Sequence, residues 1–330
     1  MEKSGGISAV GYVVGLLLVL GTVVGLIEVL KPPRVRPLQA ATNARAPFPR
    51  ELQDGSGVRL EIARPPKRIV SQTLGTDEML LDLCEPDRLA AVSVLASDPK
   101  YSNVAGRTEL AGKPVAKGPE SILQLQPDLI FVASYSRAEL VDLLRAAGAP
   151  VFRFSNFDRI DDIKTNLRTL GYATGTDARA AHLVTQMETE IASIQARIPK
   201  IGTPPRVLSW SGSGYTVGAG TLFDDMVRTL GAVNVAAEQG VTGIQKISSE
   251  QVLNWQPDFL IVGAETGMVE STVQRILADP AIAATTAGQN RRIIVVDNRH
   301  FLAVSHYIVP ALRTMAAGLY PDGMKNEKSG

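Results

Sequence analysis

The chain has 330 residues, 45% of them apolar and 20% charged, with a formal net charge of +1. That length suffices for two domains with separate cores, and a near-neutral balance without a basic stripe excludes a nucleic-acid surface. The single cysteine, Cys84, excludes an intramolecular disulfide; beside Met79, Leu80 and Leu83 it reads as a buried structural thiol.

In chain order, residues 7–27 are 21 positions without a charge. At about 1.5 Å per residue they are long enough to cross a hydrocarbon core of about 30 Å. Glu28 and Lys31-Pro32-Pro33 follow, the nearest small-residue cleavage match, Ala44-Arg45-Ala46, is far downstream, and no cysteine is placed to take a lipid. The reading is an uncleaved single-pass signal anchor within residues 1–30. Lys31, Arg34 and Arg36 outnumber Lys3 across the span, a bias that by itself puts the body in the cytoplasm. Residues 31–48, rich in Pro, Ala and Arg, read as a tether.

Residues 49–158 form the first expected lobe. Segments 50–52 and 58–62 flank the Asp54-Gly55-Ser56-Gly57 turn as an edge hairpin. A core strand then ends near Ser71, followed by a helix at 77–84, a strand at 89–94, and, after an intervening helix and strand, a helix at 137–147 and a strand at 151–154. This alternation argues for a parallel α/β sheet. Residues 159–203 break it with two helices separated by Gly175-Thr176; in the second, Leu183, Met187, Ile191, Ile194 and Ile198 share a face. A helix of roughly 22 residues spans about 33 Å, enough to link two lobes. The alternation resumes over 204–322 with strands at 206–210 and 293–296, helices at 222–230 and near 272–277, and a last helix at 307–319. Residues 323–330 are a polar tail.

One unit occurs twice. Residues 118–133 read GPESILQLQPDLIFVA and residues 248–263 read SSEQVLNWQPDFLIVG, offset by a constant 130. Each copy opens with a helix-start signal, Pro119 or the Ser248/Gln251 capping box, and stops at Gln-Pro-Asp before an unbroken apolar run suited to a buried parallel strand. Two copies of a helix-turn-strand unit imply two similar lobes.

Arg68-Ile69-Val70-Ser71 before Asp77-Glu78, the Asp87–Val92 segment and the two Glu-x-(Ile/Val)-Leu-x-x-Gln-Pro-Asp units resemble the helical-backbone (class III) substrate-binding proteins, which serve ABC importers of iron-siderophores, haem and cobalamin. The resemblance covers 50–320. It implies two three-layer α/β lobes joined by one long helix, a bulky ligand held between them, and one glutamate per lobe docking on arginines of a permease coupled to an ATPase. Those glutamates match Glu120 and Glu250. Each stands in a helix first turn, where the macrodipole keeps a carboxylate ionised and ready to pair with Arg.

A cleft at the carboxyl ends of the strands would gather Gln72, Thr73, Leu74, Tyr101, Ser134, Tyr135, Trp210, Tyr215, Glu265, His300 and His306. Tyr and Trp there suit a tetrapyrrole or catecholate. Three histidines, with His182 on the linking helix, argue against a His-rich metal site. Gly212, Gly214 and Gly218 approach a dinucleotide fingerprint, but no acid closes the next strand. No triad, phosphate loop or resident cofactor is expected, so an enzyme is not. The reading is an extracytoplasmic importer subunit, the alternative a tethered ligand sensor without a permease.

Overall fold

The computed structural model describes residues 47–110, 112–200 and 202–324. The expected anchor at 7–27 lies outside the described residues; among the described residues no helix is long and apolar enough to cross a membrane.

Twelve strands are described. β1 (Arg50–Gln53) and β2 (Arg59–Ile62) form the antiparallel hairpin, with Leu52 opposite Leu60. β3 (Ile69–Ser71), β4 (Leu89–Ala91), β5 (Leu129–Ala133) and β6 (Val151–Phe154) make a parallel sheet in the order β4-β3-β5-β6. β7 (Arg206–Ser209), β9 (Val233–Asn234), β11 (Phe259–Ala264) and β12 (Ile293–Asp297) make a second, in the order β12-β11-β7-β9. β8 (Tyr215–Val217) pairs antiparallel with β10 (Ile244–Lys246).

Both faces of each sheet are covered, which is why the central strands are apolar throughout. Along β3 and β5, Ile69 and Phe131 join the large core that continues into the linking helices, while Val70, Ile130 and Val132 join a smaller core with Leu144. Phe131 stacks on Phe154 with ring centroids 5.9 Å apart. The second sheet divides likewise, Val207 and Ile261 to one side, Leu208 and Leu260 to the other.

The repeated Gln-Pro-Asp has a structural cause. Gln126 and Gln256 adopt left-handed φ of 49° and 46°, which ends each helix. The aspartate then clamps the start of the neighbouring strand: Asp128 accepts the Lys67 and Arg68 N–H groups at 2.7 and 2.9 Å, and Asp258 accepts that of Arg206 at 2.9 Å. The same arginines cap the helix ends, Arg68 Nε donating to the Leu125 carbonyl at 2.7 Å and Arg206 Nη1 to that of Gln256 at 2.9 Å. The repeat therefore fixes helix to sheet at the amino ends of the strands.

Between the sheets lie the helices Ile160–Thr174 and Asp177–Ala196. Gly175, at φ 75°, closes the first, and Gly171 lets the second cross tightly, since a Cβ there would meet that of Ala180 at 2.4 Å. The linking helix is 20 residues long and buries Ala180, Val184, Met187 and Ile194, so the expected stripe is rotated: Leu183, Ile191 and Ile198 sit only at its margin. It packs against both the helix Leu74–Leu83 of the first half and the helix Val309–Leu319 of the second.

Candidate functional site

Parallel order brings the carboxyl ends of all strands in a sheet to one edge, and here the two edges meet. Lys100 Nζ lies 3.0 Å from Glu265 Oε1 across the halves. Asn103 Nδ2 donates to the Arg299 carbonyl at 2.7 Å. Beneath them runs a polar seam. Glu78 and Asp82, four residues apart and so on one helix face, both grip the second half. Glu78 accepts from the Asn103 N–H at 3.1 Å, from Asn103 Nδ2 at 2.8 Å and from Ser305 Oγ. Asp82 accepts from Tyr307 Oη at 3.1 Å, holds Arg107 at 2.6 Å and meets His306 Nε2 at 2.9 Å. Gly75 is required here: a Cβ would come within 2.7 Å of Val304 Cγ2.

Several expected cleft residues stand at this edge. Gln72 is half-buried and donates its amide to the Ala116 carbonyl at 2.6 Å. Thr73 is a buried helix cap, accepting from the Thr76 N–H at 3.3 Å, and Leu74 begins that helix. Tyr101 follows Lys100 and is half-buried; Ser134 is exposed. Tyr135 exposes 46% of its surface and tilts against Phe157 at 5.4 Å, yet its hydroxyl is turned inward toward Thr73, and burial pushes it up to about 12. Glu265 is exposed and paired with Lys100. His300 is half-buried, and desolvation lowers its pKa. Tyr215, half-buried, opens β8 opposite Lys246 in the small hairpin.

Two further expected cleft residues are packed inside the protein. Trp210 is only 6% exposed and packs with Leu208, Val235, Val252 and Ile276, because strand alternation carries it onto the same sheet face as Leu208. His306 is half-buried in the seam: Asp82 holds its Nε2, and its ring lies 4.4 Å from that of Tyr307.

Other residues escape sequence reasoning. Val94, Met268, Val269 and Leu302 are exposed by 50% or more in the segments that follow β4, β11 and β12. Nothing in an apolar letter distinguishes such a position from core.

Glu120 and Glu250 are exposed in the first turns of Pro119–Gln124 and Ser249–Trp255. Each helix joins its following strand by a short turn and runs antiparallel to it, so its start stands at the carboxyl edge of the sheet, beside the cleft. A bond to its own backbone N–H and one to Ser248 hold the Glu250 carboxyl below its usual range. Residues just ahead of each helix bond to the cleft loops, Ala116 to Gln72 at 2.6 Å and Ile247 to Gly214 at 2.9 Å.

Asp77 is fully buried below this edge, bonded to the Ser93 N–H at 3.1 Å and to Ser93 Oγ at 2.5 Å; burial raises it to about 7. The folded protein keeps this proton up to about pH 7, whereas an unfolded chain releases it near 3.8. The folded state thus binds more protons in between, so stability falls as pH rises from about 4 to about 7 and then levels off. Glu78, also raised by burial, adds to the slope; Asp82 and Asp297, held low, act below that window. Urea midpoints measured across this range should decline in the wild type and decline much less in Asp77→Asn.

Two parallel sheets meeting at their carboxyl edges, joined by one long helix, define a bilobal binding protein. The chain belongs to the periplasmic binding protein family, which residues 69–300 match. It is 23% identical over 288 residues to an uncharacterized ABC transporter substrate-binding lipoprotein, YvrC, of Bacillus subtilis, covering 84% of this chain and 88% of that one. Over 214 residues it is 26% identical to the vitamin B12-binding protein of Pectobacterium atrosepticum, with coverage of 63% and 75%. The solved structure of the periplasmic haem-binding protein RhuT from Roseiflexus sp. RS-1 superposes with a TM-score of 0.66 at 28% identity, over 78% of this chain and 99% of that one. These relatives are binding proteins, not enzymes.

Proposed function

We propose that the chain is the substrate-binding component of an ABC importer. Residues 7–27 hold it on the extracytoplasmic side of the membrane, its cleft takes a bulky metal chelate or corrinoid, and Glu120 and Glu250 dock on the permease. One observation carries the ligand reading. Among the described residues seven large apolar side chains are exposed, and five of them, Val94, Tyr135, Met268, Val269 and Leu302, stand at the carboxyl edges of the two sheets. Soluble surfaces scatter such groups; a concentration rimmed by polar side chains marks a binding site. Gln72, Tyr101 and Ser134 supply the rim. The relatives named for B12 and haem support the ligand class, and the YvrC lipoprotein supports the outward-facing body.

The test is titration of the full chain in detergent with cyanocobalamin, haemin and a ferric siderophore, followed optically. One of them should bind, and Tyr135→Ala should weaken that binding by about 1 to 3 kcal/mol, as for a desolvated aromatic contact. A reporter fused after Gly330 should work only outside the cytoplasm. A reporter active only inside would favour the sensor reading, to which the basic flank Lys31, Arg34 and Arg36 points.

A further inference from the structure

Resting on that reading of the cleft, we infer that Lys100 and Glu265 form a gate across its mouth, a side-chain bridge between the halves that the ligand has to open. Lys100 Nζ and Glu265 Oε1 meet at 3.0 Å with their side chains 53% and 46% exposed. The contacts beneath them are of another kind: Asn103 is tied both to Glu78 and to the Arg299 carbonyl, and Ser305, fully buried, closes on Glu78. The backbones that carry the pair are also held. Asp98 Oδ1 accepts the Lys100 N–H at 2.9 Å, the Asp98 carbonyl accepts that of Ser102 at 2.9 Å, and the buried Ser102 Oγ donates to the Ala96 carbonyl at 2.7 Å. Glu265 directly follows β11, and its carbonyl accepts the Met268 N–H at 3.1 Å. Opening therefore requires only that two exposed side chains turn apart, a motion of picoseconds to nanoseconds, while the seam stays closed.

The pair bridges the gap that a ligand would fill. Of the exposed apolar side chains, Val94 and Tyr135 belong to the first half and Met268, Val269 and Leu302 to the second. Lys100 stands six residues after Val94 and Glu265 three before Met268, so a body touching both groups has to lie where the pair crosses. An exposed ion pair favours its closed state by only up to about fivefold. Because the ligand enters open molecules alone, the closed fraction lowers the association rate and the apparent affinity by the same factor. Dissociation starts from a molecule whose gate is already open, so its rate does not change.

The experiment measures association and dissociation rates of the full chain in detergent by stopped flow, with whichever of cyanocobalamin, haemin and the ferric siderophore the titration above selects. Glu265→Gln and Lys100→Met remove charges of opposite sign, yet each breaks the pair, so both should associate about two- to fivefold faster than wild type with dissociation unchanged. The swap Lys100→Glu with Glu265→Lys rebuilds the pair and should restore the wild-type rate. Raising salt from about 50 to about 500 mM should narrow the gap between wild type and the single variants, because screening loosens the pair. Single variants that move in opposite directions would show that the two charges act on the ligand directly. Weaker binding in Lys100→Met would make Lys100 a ligand contact, and unchanged rates would mean that the pair obstructs nothing. Each of these results overturns the gate and leaves the importer reading standing. Failure of all three ligands to bind the wild type removes that reading, and the gate falls with it.

Discussion

Changing Glu120 and Glu250 together to lysine should abolish uptake while the urea midpoint and ligand affinity stay near wild type. Both carboxylates are exposed on short helices that begin at the cleft edge, and neither closes an ion pair among the described residues. Exposed charges of this kind contribute little to folding. A carboxylate buried against an arginine in a complex is different: losing one such partner strands the other, and each site should cost uptake roughly 30-fold or more. The double alanine variant should retain more transport than the double lysine one, which sets like charges against each other. The pair also stands on matching helices of the two halves, so under the docking proposal the partner offers two equivalent sites and either single variant should be intermediate. Uptake of the bound ligand into cells carrying each variant is the measurement; transport surviving the double lysine change, or affinity collapsing with it, assigns these residues another role.

The two halves were legible because the same physical device is written twice. A helix stop, a proline and a strand-clamping aspartate leave the same letters at a fixed offset, and a strand covered on both faces leaves an unbroken apolar run. Element ends were less so: the helix expected from Asp77 begins at Leu74 because Thr73 caps it, and the strand expected to run to Val94 ends at Ala91, where the chain turns into the 3-10 segment Val94–Ser97. The cleft was half legible. The rule that sites gather at strand carboxyl ends placed Tyr135 and Glu265 in the loops that follow β5 and β11, where both are exposed, but an aromatic near such an end can belong to either side of the sheet surface, and Trp210 belongs to the core. The seam was invisible, because Glu78 and Asp82 look like ordinary helix acids and their partners Ser305 and His306 lie 227 and 224 residues away.

That seam sets the second large effect. Glu78→Ala should destabilise the protein by roughly 2 to 5 kcal/mol, since each buried donor left without an acceptor costs about 1 to 3 kcal/mol. The donors at stake are the Asn103 N–H and Ser305 Oγ, with Asn103 Nδ2 keeping its second acceptor, the Arg299 carbonyl. Glu78→Gln is the control. It keeps an acceptor for Asn103 and offers an amide to Ser305 Oγ, and because burial already favours the uncharged form of Glu78, it should cost less than about 1 kcal/mol. His306→Ala should be milder than Glu78→Ala, because Asp82 retains Arg107 at 2.6 Å and Tyr307 at 3.1 Å. Urea midpoints order the three variants, and ligand titration on each reads whether the halves have lost their mutual setting. Glu78→Ala should weaken binding as well as folding, since Asn103 sits three residues from Lys100 on the same interlobe strap. An alanine variant as stable as wild type would mean that the halves are joined by the linking helix alone, and a glutamine variant as unstable as the alanine one would mean that the seam needs the charge of Glu78 and not its hydrogen bonds.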